Sequence, residues 1–545
     1  MLNHTRRRPF GPGEKILGLV LGLALIAGLV TAITVWRSDD TEECRHDLQR
    51  VEGACMALAQ GDFAYAPEIK ELVRAVAREN ASVEDSDEPV RRIALTMPFS
   101  SDETSAMPLD LIRNGLAGAL AGQRAANKGP GPDYQLLLAD IGRGMKQWRP
   151  VTDQLVRMSD TRSPLIATIG LPSSTDDSRD AMRALARKAI PSVGPVITSS
   201  DMHSKEYFFK TSPSNTHFSE ALKEYLADNP GKGKGYLVFD RRDEDTYARD
   251  LEEKLRDAFG RKYDLDTNFA DFAGTRGEEA GTPRLFKMPV LNICAAEADT
   301  VFYAGRDEDL PALIKGLAAT PRCGYQKPLR VLKVGIGLPP ELTTKDLTDR
   351  MERADIRIVN AASVDPSWAR AKDTRKSGEL PTGFAEFEEQ FTALAKRQKM
   401  GSKPLDDGYA IMYYDAFRAV SEASGLAYED VGSAELEKAE QDQETPDENA
   451  SAAAERVRED VYHKLLNLKP NRRGGADGCS PCVEGASGTY GFNIPTSKTL
   501  WPVCKAVHIQ EHPVPTKRRE GEDGPPEKPY RTYADEFSGE CPSGL

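Results

Sequence analysis

"ATIGLPSSTDDSRDAMRAL", from Ala167 to Leu185, changes character in its middle. Its first residues are apolar and β-branched, as in a strand buried on both faces. From Asp176 onward, Ala181, Met182 and Leu185 recur at helical spacing. Ser173, Ser174 and Thr175 stand between the two patterns. Small hydroxyl residues ahead of a helix predict an N-cap. The carboxyl end of a strand that turns directly into a helix is also where open α/β sheets bind ligands. Free N–H groups and the helix dipole there favour an anion such as a carboxylate. One hydroxyl can cap while another faces a cleft, so both roles stay open.

The same rhythm runs along most of the chain. "RRIALTMPF", "YQLLLADI", "KGYLVFD", "TVFYAG", "RVLKVGIG" and "RIVNAAS" read as short buried strands. Between them lie helical stretches such as "LDLIRNGLAGALAGQRAANK", "YARDLEEKLRDAFG" and "FAEFEEQFTALAKRQ". Strands alternating with helices of this kind mean βαβ units and parallel sheets. There are too many units for one doubly wound sheet, so two are expected.

The chain has 545 residues, with 85 acidic against 72 basic side chains and a net charge of −13. No basic face is implied, which argues against a nucleic-acid partner. "ILGLVLGLALIAGLVTAITVW", Ile16 to Trp36, carries no charge and is long enough to span a bilayer as a helix. Arg6, Arg7, Arg8 and Lys15 precede it, and Asp39, Asp40, Glu42 and Glu43 follow. This asymmetry predicts an uncleaved single-pass anchor, residues 1–15 cytoplasmic and the body outside. Eight cysteines, Cys44, Cys55, Cys294, Cys323, Cys479, Cys482, Cys504 and Cys541, all follow that segment. In an oxidising compartment they are expected to form disulfides. Cys44 with Cys55 would close a small loop and Cys294 with Cys323 a strand–helix unit; the last four cannot be paired from sequence. A zinc set built from the last cysteines with His508 is the weaker reading outside a cell.

Taken in order, "IALTMPFSS", "ATIGLPSST", "IPSVGPVITSS", "YFFKTSPSN", "YLVFDRRDEDTYARDL" and "DTVFYAG" resemble the type I periplasmic binding proteins, specifically their branched-chain amino-acid receptor branch. The likeness covers roughly residues 90–510. It implies an α/β fold of two hinged lobes, each a doubly wound parallel sheet, closing on a small ligand. It further implies lobe 1 at about 90–212 and 330–424 and lobe 2 at about 213–329 and 460–510. A small cysteine-bearing module (37–89), an acidic insertion (425–459) and a disordered tail (511–545) are expected around them. By the same match, Ser100, Ser173, Ser174, Thr198 and Ser199 would face the ligand from one lobe, and Tyr247 and Tyr303 from the other. The family usually offers an acid to a ligand's ammonium near "RVLKVGIG", but "LPPELTT" follows here with no clear acid; Asp307 is a possible substitute. The expected protein is no enzyme and carries no cofactor. It is a membrane-anchored receptor for a small polar ligand, an amino acid or amide, serving an ABC transporter permease or a sensing partner. The alternative is a scaffold on the same fold that binds no ligand. Convergence of Ser173, Ser174, Thr198 and Tyr247 on one cavity distinguishes the two.

"HIQEH", His508 to His512, has the spacing of a metallopeptidase motif. That chemistry requires a helix, whereas "KAVHIQEHPVP" alternates like a strand, so no metal is assigned. "NPGKGKG" precedes a strand instead of following one and lacks the Ser or Thr of a phosphate loop.

Overall fold

The computed structural model describes residues 49–51, 54–59, 65–101, 107–202, 206–274, 286–320, 328–365, 368, 380–401, 403–431, 448–470, 481–492, 500–514, 529–537 and 540–541. The segment Ile16–Trp36 lies outside them. Among the described residues no helix is long and apolar enough to cross a membrane.

The buried strands assemble into two seven-stranded sheets, one per lobe. In the first, β1 (Gln49–Val51), β2 (Ala54–Ala59), β3 (Val90–Met97), β4 (Asp133–Asp140), β5 (Leu165–Gly170), β6 (Ser192–Gly194) and β7 (Phe208–Lys210) take the order β1-β2-β4-β3-β5-β6-β7. The second is built from β8 (Gly235–Asp240), β9 (Phe269–Phe272), β10 (Thr300–Ala304), β11 (Leu329–Gly335) and β12 (Ile356–Ala362). A separate small hairpin, β13 (Val483–Gly485) with β14 (Gly488–Tyr490), lies outside both sheets. The late strands β15 (Ala506–His512) and β16 (Tyr530–Arg531) complete the second sheet in the order β16-β15-β12-β11-β10-β8-β9. The inner strands run parallel, and β2, β15 and β16 run antiparallel to their neighbours. β5 and β10 are buried at every position, as strands covered by helices on both faces must be.

Each sheet reverses its winding once. β4 and β5 flank β3 on opposite sides, and β9 and β10 do the same to β8. Ligands bind at the carboxyl ends of strands at such switch points. The loops after β5, β10 and β11 meet between the lobes.

This partition differs from the expected one. β11 and β12 belong to the second sheet, so residues 329–362 are not part of lobe 1. Conversely, Val461, Leu465, Val483 and Tyr490 pack into the first core with Leu116 and Phe417. The reason is that the helix Tyr409–Val431 docks against the helix Leu109–Ala126 and draws the following chain with it. That approach requires glycine: a methyl at Gly118 would lie 2.0 Å from the Ala410 carbonyl oxygen. The region before residue 90 is no separate module, because β2 pairs with β4 and the helix Lys70–Ser82 buries Leu72, Val73 and Val76 in the same core. The helix Glu448–Asn467 occupies part of the expected insertion, with Ala454 and Arg458 buried. The tail is also partly ordered. β16 pairs with β15, Thr532 is fully buried, and Cys541 is disulfide-bonded to Cys504. Cys294 and Cys482 are disulfide-bonded as well. Cys44, Cys323 and Cys479 lie outside the described residues, as does the side chain of Cys55.

Where the chain leaves lobe 1 for β15, it passes a fully buried ion pair. Lys505 Nζ stands 3.4 Å from Asp415 Oδ2, with both side chains at 0% exposure. Asp415 also accepts from Ala486 N at 2.6 Å and from the Ser487 hydroxyl, and Lys505 Nζ lies 4.1 Å over the Tyr490 ring. Burial lowers the Lys505 pKa to about 8, and Asp415 opposes that shift. Removing one partner strands the other charge in the interior, at a cost of about 3–5 kcal/mol. Asp415→Ala is therefore expected to lower unfolding stability by that order in urea denaturation. Asp415→Ala combined with Lys505→Met should recover most of the loss; equal losses in both variants would refute the pairing.

Candidate functional site

Gly170 (φ 124°) and Leu171 (φ 53°) turn the chain sharply out of β5, and Leu171 N donates to Thr96 O at 3.0 Å. A Cβ at Gly170 would sit 2.1 Å from that same oxygen, so only glycine allows the turn. The chain then reaches Thr175, whose Oγ1 accepts from Ser178 N at 3.2 Å and caps the helix Asp176–Ala186. With capping assigned to Thr175, Ser173 and Ser174 line a cavity of about 620 Å³ between the lobes. Thr198 joins them from the segment after β6, and Tyr247 comes from the opposite lobe. Four of the seven expected residues thus converge on one cavity.

The other three do not line it. Ser100 hydrogen-bonds the buried carboxyl of Asp140. Ser199 is fully buried, its N donating to Ser174 Oγ at 3.4 Å and its Oγ accepting from Asp201 N at 3.3 Å, so it backs Ser174. Tyr303 is 1% exposed; its ring stacks on Phe272 and its hydroxyl donates to Arg306 O at 2.8 Å. It fixes the backbone of a cavity residue without reaching the cavity. Strand alternation and motif order could not show which face of β10 carried the site.

Sequence reasoning also missed residues that the cavity gathers: Asn114, Arg306, Asp407 and Tyr409. Arg306 follows β10 directly, and Nε and Nη2 donate to Asp245 at 2.7 and 2.9 Å. Burial opposes ionisation of Asp245, but Arg306 outweighs it and holds the carboxyl below its usual range. The Arg306 guanidinium also lies 4.9 Å from the Tyr247 ring centre, and the Tyr247 hydroxyl donates to Val334 O at 3.1 Å. Asp307, the suggested partner for a ligand ammonium, does line the cavity, but Lys333 Nζ already stands 3.1 Å from it. Burial raises its pKa, and Lys333 offsets part of that. An acid from "LPPELTT" is present after all, since Glu341 lines the cavity at its exposed rim. The signal for Arg306 and Asp407 is a charged residue two positions past a strand or before a helix, which looks the same as ordinary loop polarity in the sequence.

His508 and His512 lie on β15, as the alternation predicted. Thr348 Oγ1 contacts His512 Nε2 at 3.0 Å, and Trp368 stacks edge-on against His508. Among the described residues no group of His, Cys, Asp and Glu could hold a metal ion.

Asp407 is a buried carboxyl in the cavity's first-lobe wall. Its Oδ2 accepts from Asn114 Nδ2 at 2.5 Å and its Oδ1 from Tyr409 N at 2.8 Å. Burial nevertheless raises its pKa to about 7, with those two hydrogen bonds opposing the shift. A carboxyl whose folded pKa exceeds its unfolded value binds more protons when folded, so its contribution to stability is full below pH ~4 and fades as pH rises through 7. Replacing it with Asn114's kind of side chain removes that dependence. Asp407→Asn should therefore flatten the fall of the melting midpoint between about pH 4 and 7. An unchanged slope in pH-series calorimetry would show that Asp407 ionises normally.

No family model matches the chain, and no curated protein matches it. Solved structures do. The chain superposes on a solute-binding protein of an ABC transporter from R. palustris, in complex with 4-hydroxybenzoate, with a TM-score of 0.51 at 13% identity, over 83% of this chain and 98% of the other. It also superposes on the branched-chain amino acid transporter substrate binding protein LivJ from Streptococcus pneumoniae, in complex with isoleucine, with a TM-score of 0.50 at 14% identity, over 77% and 95% of the two chains. The fold is that of the type I periplasmic binding proteins, and these structural neighbours are binding proteins, not enzymes.

Proposed function

We propose that this protein is a solute-binding receptor that closes its two lobes on a small polar molecule, an amino acid or an amide. The single observation that carries the reading is the convergence of Ser173, Ser174 and Thr198 from one lobe with Tyr247 from the other on one cavity. A volume of about 620 Å³ falls within the range of small-molecule sites. Contacts from both lobes give a ligand a preference for the closed arrangement, which is how it would shift the population. Two neighbours of this fold hold isoleucine and 4-hydroxybenzoate, both small polar molecules.

In this proposal Ile16–Trp36 tethers the body to the outer face of a membrane, where it delivers solute to an ABC transporter permease or reports it to a sensing partner. The length and charge asymmetry of that segment support the tether. The scaffold alternative draws on the internal pairing of the cavity charges, Arg306 with Asp245 and Asp307 with Lys333.

A thermal-shift screen of the full-length chain against amino acids, amides, hydroxy acids and polyols separates the two. A ligand at 100 times its Kd should add about 2.7 kcal/mol, a shift of a few degrees. Ser174→Ala and Tyr247→Ala should each abolish the shift. Ser174→Ala should leave the unliganded midpoint near wild type, whereas Tyr247→Ala also loses its core packing and its hydrogen bond to Val334 O and starts from a lower midpoint. A folded protein that responds to no compound would favour the scaffold.

A further inference from the structure

Among the described residues, two of the cavity-wall atoms without a hydrogen-bond partner belong to neutral or partly used groups on opposite lobes, Asn114 Oδ1 and Arg306 Nη1. Asn114, on the helix Leu109–Ala126, is 5% exposed. Its Nδ2 donates to Asp407, while its Oδ1 is buried and accepts from nothing. Arg306, from the loop after β10, uses Nε and Nη2 on Asp245; its Nη1 makes no hydrogen bond among the described residues. Its side chain remains 17% exposed, and the residue lines the same cavity.

Both groups are held in place from behind. Asp407 is fixed by Tyr409 N at 2.8 Å. Asp245 accepts from Ala248 N at 3.2 Å and lies 3.9 Å from Arg242, which itself pairs with the buried Asp240. Alternating charges, Asp240, Arg242, Asp245 and Arg306, therefore lead to the cavity and end in a guanidinium whose position is set. Groups oriented in advance lose little freedom when a ligand arrives. A buried carboxamide oxygen without a donor is costly to keep, and such exceptions need a reason.

The charged side chains near these two atoms have partners already. Arg306 faces Asp245, Asp307 faces Lys333, and Arg113 faces Asp110 at 2.9 Å. Glu341 and Lys403 stand exposed at the rim. A charged ligand group would have to compete with these pairs, whereas a neutral donor meets Asn114 Oδ1 and a neutral acceptor meets Arg306 Nη1 without breaking any of them.

We propose that the ligand is uncharged where it meets these walls, bringing an N–H or O–H to Asn114 Oδ1 and an acceptor oxygen to Arg306 Nη1; a carboxamide is the smallest group that carries both. This rests on the solute-binding reading and narrows it: Arg306 and Asn114 become the residues that decide specificity.

The test uses matched triplets of carboxamide, carboxylate and amine on acetyl, isobutyryl, isovaleryl, hexanoyl and benzoyl skeletons. Binding to the full-length chain is followed by thermal shift and by calorimetric titration. On whichever skeleton binds, the amide should bind best. Asn114→Leu and Arg306→Met should each weaken it by about tenfold or more, as expected for a lost buried hydrogen bond. Arg306→Lys should fall between, because it keeps the charge and loses the fork. Should Asn114→Leu fail to fold, the two Arg306 variants decide the same question. A carboxylate or amine that binds best, or an amide indifferent to the Arg306 variants, overturns this proposal and leaves the receptor reading intact. If no member of any triplet binds while another compound of the wider screen does, this proposal falls and the receptor reading stands; if nothing in either set binds, both fall.

Discussion

The buried contact between Lys505 and Asp415 is the constraint on which the two-lobed arrangement depends. Asp415 sits on a helix of the first core, Lys505 immediately before the strand that closes the second sheet, and Ser487 and Tyr490 of the small hairpin surround both. An ion pair taken wholly out of water adds little net stability over an apolar pair of the same shape. It does penalise every arrangement in which the partners separate. A charge-specific lock of this kind fixes how the last crossing between lobes is threaded, and the strands it leads into then take a single register against Ile356–Ala362.

From that arrangement the cavity follows. Two parallel sheets, each with a winding reversal, direct the loops after their strands toward one another. The sharp turn at Gly170 directs Ser173 and Ser174 into the gap, while Thr175 satisfies the helix end. The second lobe contributes its polar groups as pairs, so that the wall carries charge without net attraction for a particular sign. The lobes differ in their chemistry: the first brings the Ser173, Ser174 and Thr198 hydroxyls, the Asn114 amide and the Asp407 carboxyl, the second a positioned guanidinium, Arg306, beside Tyr247.

Much of this was legible in the sequence. The alternation of apolar strands with amphipathic helices gave the fold class, because burial on both faces leaves a distinctive residue pattern. The double role of Ser173, Ser174 and Thr175 was readable because capping and ligand contact draw on the same residue types at the same place. The partition of the lobes was not. Residues 329–362 join the second sheet by pairing with β10 and β15, and residues 460–490 join the first core through the helix docking at Gly118 and the Asp415–Lys505 contact; all of these join residues far apart in the chain. Tyr303 was misplaced because a tyrosine at a strand end reads the same whether its hydroxyl faces a ligand or, as here, the Arg306 carbonyl. Asn114 was hidden in a helix that also buries Gln123, whose amide serves Asn80 and the Tyr134 carbonyl, so a buried amide there did not by itself mark a site.

A cleft that works as a receptor site must take up a small molecule. Native mass spectrometry of the full-length chain, exposed to a small-molecule extract and then exchanged into volatile buffer, tests it most directly. A working receptor should show one bound small molecule per chain, absent from Tyr247→Ala prepared identically. A wild-type chain that stays empty while folded would contradict it.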